Sequence, residues 1–275
     1  MLQRKSSSNV ASDSERRSVF NETSFILLVL ATIANGLASD FVVWSKDAGN
    51  FPLSPLVVFT LFVFVYLHQK NQNHTAALGI PMAVLALFMM IPSSLASWIG
   101  LLLASLLYRT QTDRFHQSLI LLIILALTFI WQNSIFKVVS GFILHAETWL
   151  IGAFLAPFYP EMTVYTNHLL FHNGHDLSIN VGCSVFSNCS FVLLGWVSMY
   201  FLLGNRSLPI KWLAILFILL TLTNVVRIGV MAIDYPTYVF VHEGLGADIY
   251  NTILILLSVT PLLFSFCKKE KKACD

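Results

Sequence analysis

Apolar stretches separated by short polar segments run through most of the chain. A bilayer core requires about 20 apolar residues in a helix, and shorter stretches suffice if they begin within the headgroup layer. The pattern therefore predicts an all-α polytopic membrane protein with about eight transmembrane helices. The eight stretches are residues 24–43, 52–67, 76–91, 95–107, 118–130, 184–203, 210–233 and 249–266.

One region between these stretches has the pattern of β-structure. Residues 164–171 and 177–181 alternate in polarity and flank the sequence His172-Asn173-Gly174-His175. Asn-Gly between two such stretches is the strongest short signal for a hairpin. We therefore predict a small β-hairpin that leads into the next helix through Gly182, Cys183 and Ser184.

Basic residues in the short loops set the orientation, because they accumulate on the cytoplasmic side. The more polar stretch 138–158 carries His145 and Glu147, and we interpret it as a re-entrant or interfacial helix that does not cross. With both termini inside, thirteen basic residues are then cytoplasmic, whereas Lys46, Lys137 and Arg227 lie outside or near the outer end of a span. The cytoplasmic residues are Arg4, Lys5, Arg16, Arg17, Lys70, Arg109, Arg114, Arg206, Lys211, Lys268, Lys269, Lys271 and Lys272. If the stretch crossed, this asymmetry would collapse.

Composition agrees with a membrane protein and excludes several classes. The 275 residues are 56% hydrophobic and 11% charged, whereas about a quarter of the residues in a soluble domain are charged. A net charge of +2 is too small for a nucleic-acid-binding protein. We expect a cytoplasmic tail at residues 1–23, one integral membrane domain at 24–266 and a basic cytoplasmic tail at 267–275.

Cys183 is a candidate nucleophile. It opens the stretch 184–203 at the outer boundary and follows Gly182. A helix N-terminus favours the thiolate, which is the reactive form of a cysteine. A small residue that packs between helices is the competing interpretation.

Arg227 is the least expected residue of the apolar stretches. A guanidinium inside a bilayer is costly, and such residues generally face a polar cavity. Asn224 lies three residues earlier on the same helical face. A side chain that reaches the outer interface, or that pairs with Asp234, is the competing interpretation.

His242 lies in the outer loop 234–248. Consecutive helices usually pack as neighbours, so the outer ends of three spans would bring Cys183, Arg227 and His242 together. A thiol, a guanidinium and an imidazole at one membrane depth can act as nucleophile, oxyanion stabiliser and proton shuttle. We therefore predict these three residues as the catalytic site, and we expect no metal ion or cofactor.

The order and spacing of these residues resemble the exosortase/archaeosortase family of prokaryotic membrane cysteine transpeptidases. In that family the catalytic Cys follows an extracytoplasmic extended stretch and begins a helix as Cys-Ser-Gly. GCSVFSN at residues 182–188 is similar, with Val185 in place of the Gly. An Asn-x-x-Arg pattern late in the next span matches NVVR at 224–227, and a His shortly before a Gly matches HEGLG at 242–246.

The resemblance implies a cysteine protease-transpeptidase in the cytoplasmic membrane of a prokaryote, with its active site on the extracytoplasmic side. Family substrates are exported proteins whose C-terminal tail has a recognition motif, a transmembrane helix and a basic cluster. The enzyme cuts near the motif and can join the new C-terminus to an acceptor, and many bacterial members accompany exopolysaccharide production. The implied partners are therefore such a substrate and membrane lipids, not nucleic acid.

Two other functions stay open from the sequence. In the first, the protein is a non-enzymatic assembly or transport protein for polysaccharide, and Arg227 binds an anionic lipid-linked sugar. In the second, it is an outer-face metal hydrolase, because a cluster of histidines with an aspartate has a spacing that could bind a metal ion. That cluster consists of His168, His172, His175 and Asp176.

Overall fold

The protein is mainly helical and carries one small β-sheet. The structure, a computed structural model, describes residues 22–38, 41–42, 54–70, 78–111, 116–172, 174–205 and 210–261. Residues 1–21 of the expected N-terminal tail and the whole expected tail 267–275 lie outside this part. The chain divides between Ile130 and Trp131 into two compact units, which are described in turn.

The first unit is built from apolar helices. Ser93 caps the start of the fourth helix through the N–H group of Ala96. Trp98 is fully buried and stacks on Phe129 with 4.1 Å between ring centroids, which joins the fourth helix to the fifth. The helices are α1 (Glu22–Ala38), α2 (Pro55–Lys70), α3 (Gly79–Met89), α4 (Ser94–Thr110) and α5 (Gln117–Ile130).

A buried polar cluster ties four of these helices together at one end. Glu22 accepts a hydrogen bond from the Tyr108 hydroxyl at 3.0 Å and lies 2.7 Å from Nε2 of His68. The Ser118 hydroxyl lies 3.5 Å from Nδ1 of the same histidine. The cluster therefore joins the first turns of α1 and α5 to the last turns of α2 and α4, so α1 and α5 run opposite to α2 and α4.

The second unit begins with a π-helical turn at Trp131–Ile135. The helix α6 (Phe136–Leu155) follows, and the next elements along the chain are the three strands of a small sheet. The sheet consists of β1 (Thr163–Tyr165), β2 (His168–Leu170) and β3 (Asp176–Ser178). The later elements are a 3-10 turn (Val181–Cys183) and the helices α7 (Val185–Leu202), α8 (Ile210–Met231), α9 (Tyr235–His242) and α10 (Leu245–Ser258).

The predicted hairpin is present as strands β2 and β3, but the sheet has a third strand. The segment 164–171, expected as one strand, is divided by a turn at Thr166, whose φ of 51° lies in the left-handed region. Antiparallel pairing on both sides gives the order β1-β2-β3. Leu169 and Leu177 point into the core of the unit, which also contains Cys183.

Within the described ranges, three helical segments are long and apolar enough to cross a membrane, whereas eight were expected for the chain. They are Gln117–Leu155, Val185–Leu202 and Ile210–Met231. The helices α1, α2, α3, α4 and α10 are apolar but have only 10–17 residues. Residues of the expected spans lie in turns instead. For example, α3 ends at Met89 because the residue before Pro92 disfavours helical geometry.

The stretch 138–158 does not form a separate helix. The π-helical turn joins α5 directly to α6, so the helix continues over 39 residues from Gln117 to Leu155. The polar residues of this turn, including Gln132 and Asn133, are accommodated within the helix rather than ending it.

Candidate active site

Cys183 is the last residue of the 3-10 turn that precedes α7. Its N–H group donates to the Asn180 carbonyl at 2.8 Å, and its side chain is buried. The helix itself begins two residues later, because Ser184 is the N-cap and accepts from the N–H of Phe186 at 3.2 Å. This agrees with the predicted approach to the helix through Gly182, Cys183 and Ser184, and it places Cys183 in the turn before the N-cap rather than in the first turn of α7.

Glu147 occupies the N-terminus of α7. This buried carboxylate of α6 accepts the Ser184 hydroxyl at 2.6 Å and the N–H of Val185 at 2.6 Å. The positive end of the helix dipole thus stabilises Glu147. The sequence argument assigned that stabilisation to the thiolate of Cys183, and the structure corrects it.

Asn224 connects Glu147 to Cys183. It is 1% exposed, and its side-chain amide donates to the Cys183 carbonyl at 2.8 Å and to Glu147 at 3.4 Å. Its oxygen accepts from the Tyr250 hydroxyl at 3.3 Å. We call Glu147, Ser184, Val185 and Asn224 the Glu147 network. It fixes the backbone from Cys183 to Val185 through side chains of α6 and α8.

Arg227 lies one helical turn after Asn224, on Tyr250. The guanidinium carbon is 4.4 Å from the centre of the Tyr250 ring, a cation–π contact. Its Nε is buried without a hydrogen-bond partner among the described residues. No ion pair with Asp234 occurs in the part of the chain that the structure describes. The guanidinium therefore retains a buried donor for a further group.

His242 is the last residue of α9 and stacks on Tyr238. The ring centroids are 5.1 Å apart with an interplanar angle of 16°, and Nδ1 is buried without a partner among the described residues. Asp234 caps the start of α9 by accepting from the N–H of Thr237 at 2.8 Å. Hydrogen bonds with Thr237 hold the pKa of Asp234 below its ordinary value. The cap and the stack together fix the position of the imidazole.

Tyr238 lies between the three predicted residues. It packs against the buried cluster that contains Cys183 and Val241. Burial raises the pKa of Tyr238, the charges of Cys183 and Glu243 raise it further, and Arg227 lowers it. Its ring also carries His242, so one tyrosine contacts both the core cluster of Cys183 and the imidazole.

The structure thus gathers the three predicted residues in the second unit, and it adds three that the sequence argument missed. Tyr250 carries Arg227, Tyr238 carries His242, and Glu147 holds the backbone next to Cys183. Only Glu147 gave a signal in the sequence, since an ionisable residue in an apolar stretch is by default functional. We had used it only to interpret 138–158 as non-crossing.

The histidines of the sheet are engaged elsewhere. His168 pairs with Asp176 at 3.0 Å and His172 with Glu161 at 3.1 Å, whereas His175 lies 3.1 Å from the Met231 carbonyl. Among the described residues, no group of three or more His, Cys, Asp or Glu side chains could hold a metal ion. The geometry therefore gives no support to a metal hydrolase.

A cavity of about 210 Å³ lies beside the Glu147 network. Glu147, Val185 and Asn224 line it on one side, and its other walls are mostly apolar side chains such as Leu150 and Phe217. Cys183 is not among the lining residues, so the walls of this cavity do not include the thiol.

The arrangement offers a nucleophile on a rigid turn, a guanidinium with a buried donor and an imidazole with a buried nitrogen. These are the groups that acyl transfer requires.

No family model, no curated protein and no solved structure matches the chain.

Proposed function

We propose that the protein is a membrane-embedded cysteine peptidase and transpeptidase that processes the C-terminal tails of exported proteins. The observation that carries the proposal is the fixed backbone of Cys183, held by Asn224 and flanked by the Glu147 network. Arg227 and His242 lie on Tyr250 and Tyr238, which contact the same network and core cluster. The resemblance to exosortases and archaeosortases supports the same reaction.

In this mechanism, the Cys183 thiolate attacks the scissile carbonyl carbon and forms a carbon–sulfur bond. Arg227 donates hydrogen bonds to the oxyanion of the tetrahedral intermediate. When the carbon–nitrogen bond breaks, His242 gives a proton to the leaving amine, and a thioester remains on Cys183. The neutral imidazole then takes a proton from the incoming amine or water as it attacks the thioester carbonyl carbon. The carbon–sulfur bond breaks and releases the Cys183 thiolate, which restores the starting thiolate and imidazolium.

For the membrane, we propose eight crossings by α1, α2, α3, α4, α5, α7, α8 and α10, with α6 and α9 not crossing. The shorter helices require flanking side chains to snorkel to the interface or the bilayer to thin locally, at a modest cost per ångström of mismatch. The alternating directions at the Glu22 cluster support consecutive crossings in the first unit. The distribution of basic residues supports an outer location for Cys183 in the cytoplasmic membrane.

A second candidate function rests on Arg227. Its buried Nε has no partner among the described residues, so the guanidinium could bind an anionic group of a lipid-linked sugar in a non-enzymatic assembly or transport protein. Such a protein would need Arg227 but not the thiol of Cys183.

The proposal is tested by comparing the membrane proteins of cells that carry wild-type protein, Cys183→Ala or Cys189→Ala. We expect an exported protein with a C-terminal helix and basic cluster to accumulate uncut only in the Cys183→Ala cells. Equal processing in all three strains, with polymer export lost only in an Arg227→Ala strain, would instead favour the second candidate.

A further inference from the structure

Strand β3 forms a free edge of the sheet. It pairs with β2 on one side, and the sheet order β1-β2-β3 places no described strand on its other side. An edge strand presents unpaired N–H and C=O groups, which can pair with another extended chain.

The register shows which backbone groups face that edge. The backbone N–H of Ile179 donates to the backbone carbonyl of Asn167 at 2.8 Å, and the backbone N–H of Phe171 donates to the backbone carbonyl of His175 at 3.0 Å. Ile179 with Asn167 and Phe171 with His175 are therefore hydrogen-bonded pairs of the ladder. Bonded and non-bonded pairs alternate in an antiparallel ladder. Asp176 and Ser178, opposite Leu170 and His168, are therefore non-bonded. Their N–H and C=O groups point away from β2, toward the free edge.

The surroundings leave this edge accessible. Leu177 and Ile179 are buried and anchor the strand to the core of the unit, whereas Asp176 and Asn180 are exposed. Edge strands are commonly protected by proline, a bulge or charged side chains. Here the segment has no proline, and the carboxylate of Asp176 is held by His168 on the neighbouring strand.

The edge leads directly to the thiol. Asn180 continues the extended backbone with φ −98° and ψ 172°, and its carbonyl accepts the N–H of Cys183 at 2.8 Å. Cys183 follows Ser178 by five positions. A bound peptide that lies along the edge of β3 therefore reaches the 3-10 turn that carries the thiol.

We propose that the free edge of β3 is a binding site for an extended peptide segment, held by backbone hydrogen bonds to Asp176 and Ser178. Outward groups two residues apart along a strand are about 7 Å apart, which matches the repeat of a paired strand. Backbone pairing provides affinity with little demand on sequence. The inference rests on the proposed function in one respect. That function identifies the bound peptide as the part of the substrate beside the scissile bond.

The test is photoaffinity labelling of the full-length protein in lipid nanodiscs. The probe is a pool of acetylated octapeptides with random side chains and a central photoactivatable leucine, and adducts are mapped by mass spectrometry. We expect adducts concentrated on residues 176–180. The same pool with N-methylated backbone amides should label these residues about tenfold less, because it cannot donate to the edge carbonyls.

Matched variants test the protein side of the same bonds. Ser178→Pro removes one outward N–H without removing a ladder bond, and proline is tolerated at such edge positions. It should lower labelling about fivefold, whereas Ser178→Ala keeps the N–H and should label like the wild type. The N-methylated pool tests the site on unaltered protein even if Ser178→Pro fails to fold.

Equal labelling by the N-methylated pool, or adducts spread over the outer loops, would overturn the inference. Chain-to-chain cross-links through residues 176–180 would also overturn it, since the edge would then pair with a second copy. Labelling needs no catalysis, so Cys183→Ala should label like the wild type. If labelling persists but Cys183→Ala cells process exported proteins normally, the proposed function fails and the peptide site stands.

Discussion

The side-chain amide of Asn224 donates a hydrogen bond to the carbonyl oxygen of Cys183 across 2.8 Å. Forty-one residues separate the two in the chain, and the contact joins α8 to the turn that carries the thiol. Arg227 follows Asn224 by one helical turn, so the same helix that fixes the nucleophile also carries the guanidinium. The geometry of the site therefore depends on how α6, α7 and α8 pack.

Replacing Glu147 should destabilise the second unit. Glu147→Leu leaves the N–H of Val185 buried without its acceptor, and an unsatisfied buried donor costs about 1–3 kcal/mol. Glu147→Gln retains an acceptor oxygen and should lose less. Chemical unfolding of the purified protein in detergent measures both. Glu161→Gln, at an exposed glutamate, is the control, and an equal loss for Glu161→Gln and Glu147→Leu would contradict the role of the network.

Arg227→Lys should be nearly as damaging to processing as Arg227→Ala. The planar guanidinium stacks on Tyr250 and directs several donors, whereas an ammonium is a compact point charge. Loss of one oxyanion donor typically lowers the rate by about 10²–10³. The measurement is the processing rate in membranes, with Arg109→Lys as the control. Near-normal processing by Arg227→Lys would show that only the charge matters.

His242→Ala should be slow rather than inactive. Proton transfer contributes about 10²–10⁴ in rate, and the first attack by the thiol does not require the imidazole. Proton transfer through His242 makes the wild-type rate depend on pH in this mechanism, so the variant should also lose that dependence across about pH 5 to 9. Tyr238→Phe keeps the stacked ring and should keep that pH dependence. An unchanged profile in His242→Ala would exclude His242 as the proton shuttle.

The cap of α9 should be sensitive to acid. The pKa of Asp234 is lowered in the folded protein, so the charged carboxylate stabilises the fold above its ordinary pKa of 3.8. That stabilisation is lost as the pH falls through the lower, folded value. Thermal unfolding should therefore show wild type more stable than Asp234→Ala above about pH 4, with the difference shrinking at lower pH. Asp234→Asn caps without a charge, and its advantage over Asp234→Ala should not vary with pH.

The sequence predicts local features of this fold better than distant ones. The β2–β3 hairpin follows from Asn173-Gly174, whose turn chemistry depends on neighbouring residues. The break at Thr166 was missed, because a left-handed residue other than Gly or Asn has no strong signal. The apolar stretch 76–91 is longer than α3, because hydropathy does not show where a turn such as that before Pro92 ends a helix, whereas α4 is longer than the stretch 95–107 that predicts it.

The site shows the same division. Cys183, Arg227 and His242 stand out because each is unusual in its segment. The role of Glu147 depends on contacts with residues 37 and 77 positions away, which periodicity along the chain cannot indicate. The helix N-terminus expected to act on Cys183 is occupied by that same carboxylate.

The most direct test of the nucleophile is the processing of a tailed substrate by Cys183→Ser in membranes. A hydroxyl in the same place is a far weaker nucleophile than a thiolate, so turnover should be lost almost entirely. Cys189→Ser is the matched control, because Cys189 is also buried and lies six residues further along the chain. It should process the substrate at close to the wild-type rate. Activity of Cys183→Ser equal to that of the wild type would contradict the cysteine mechanism.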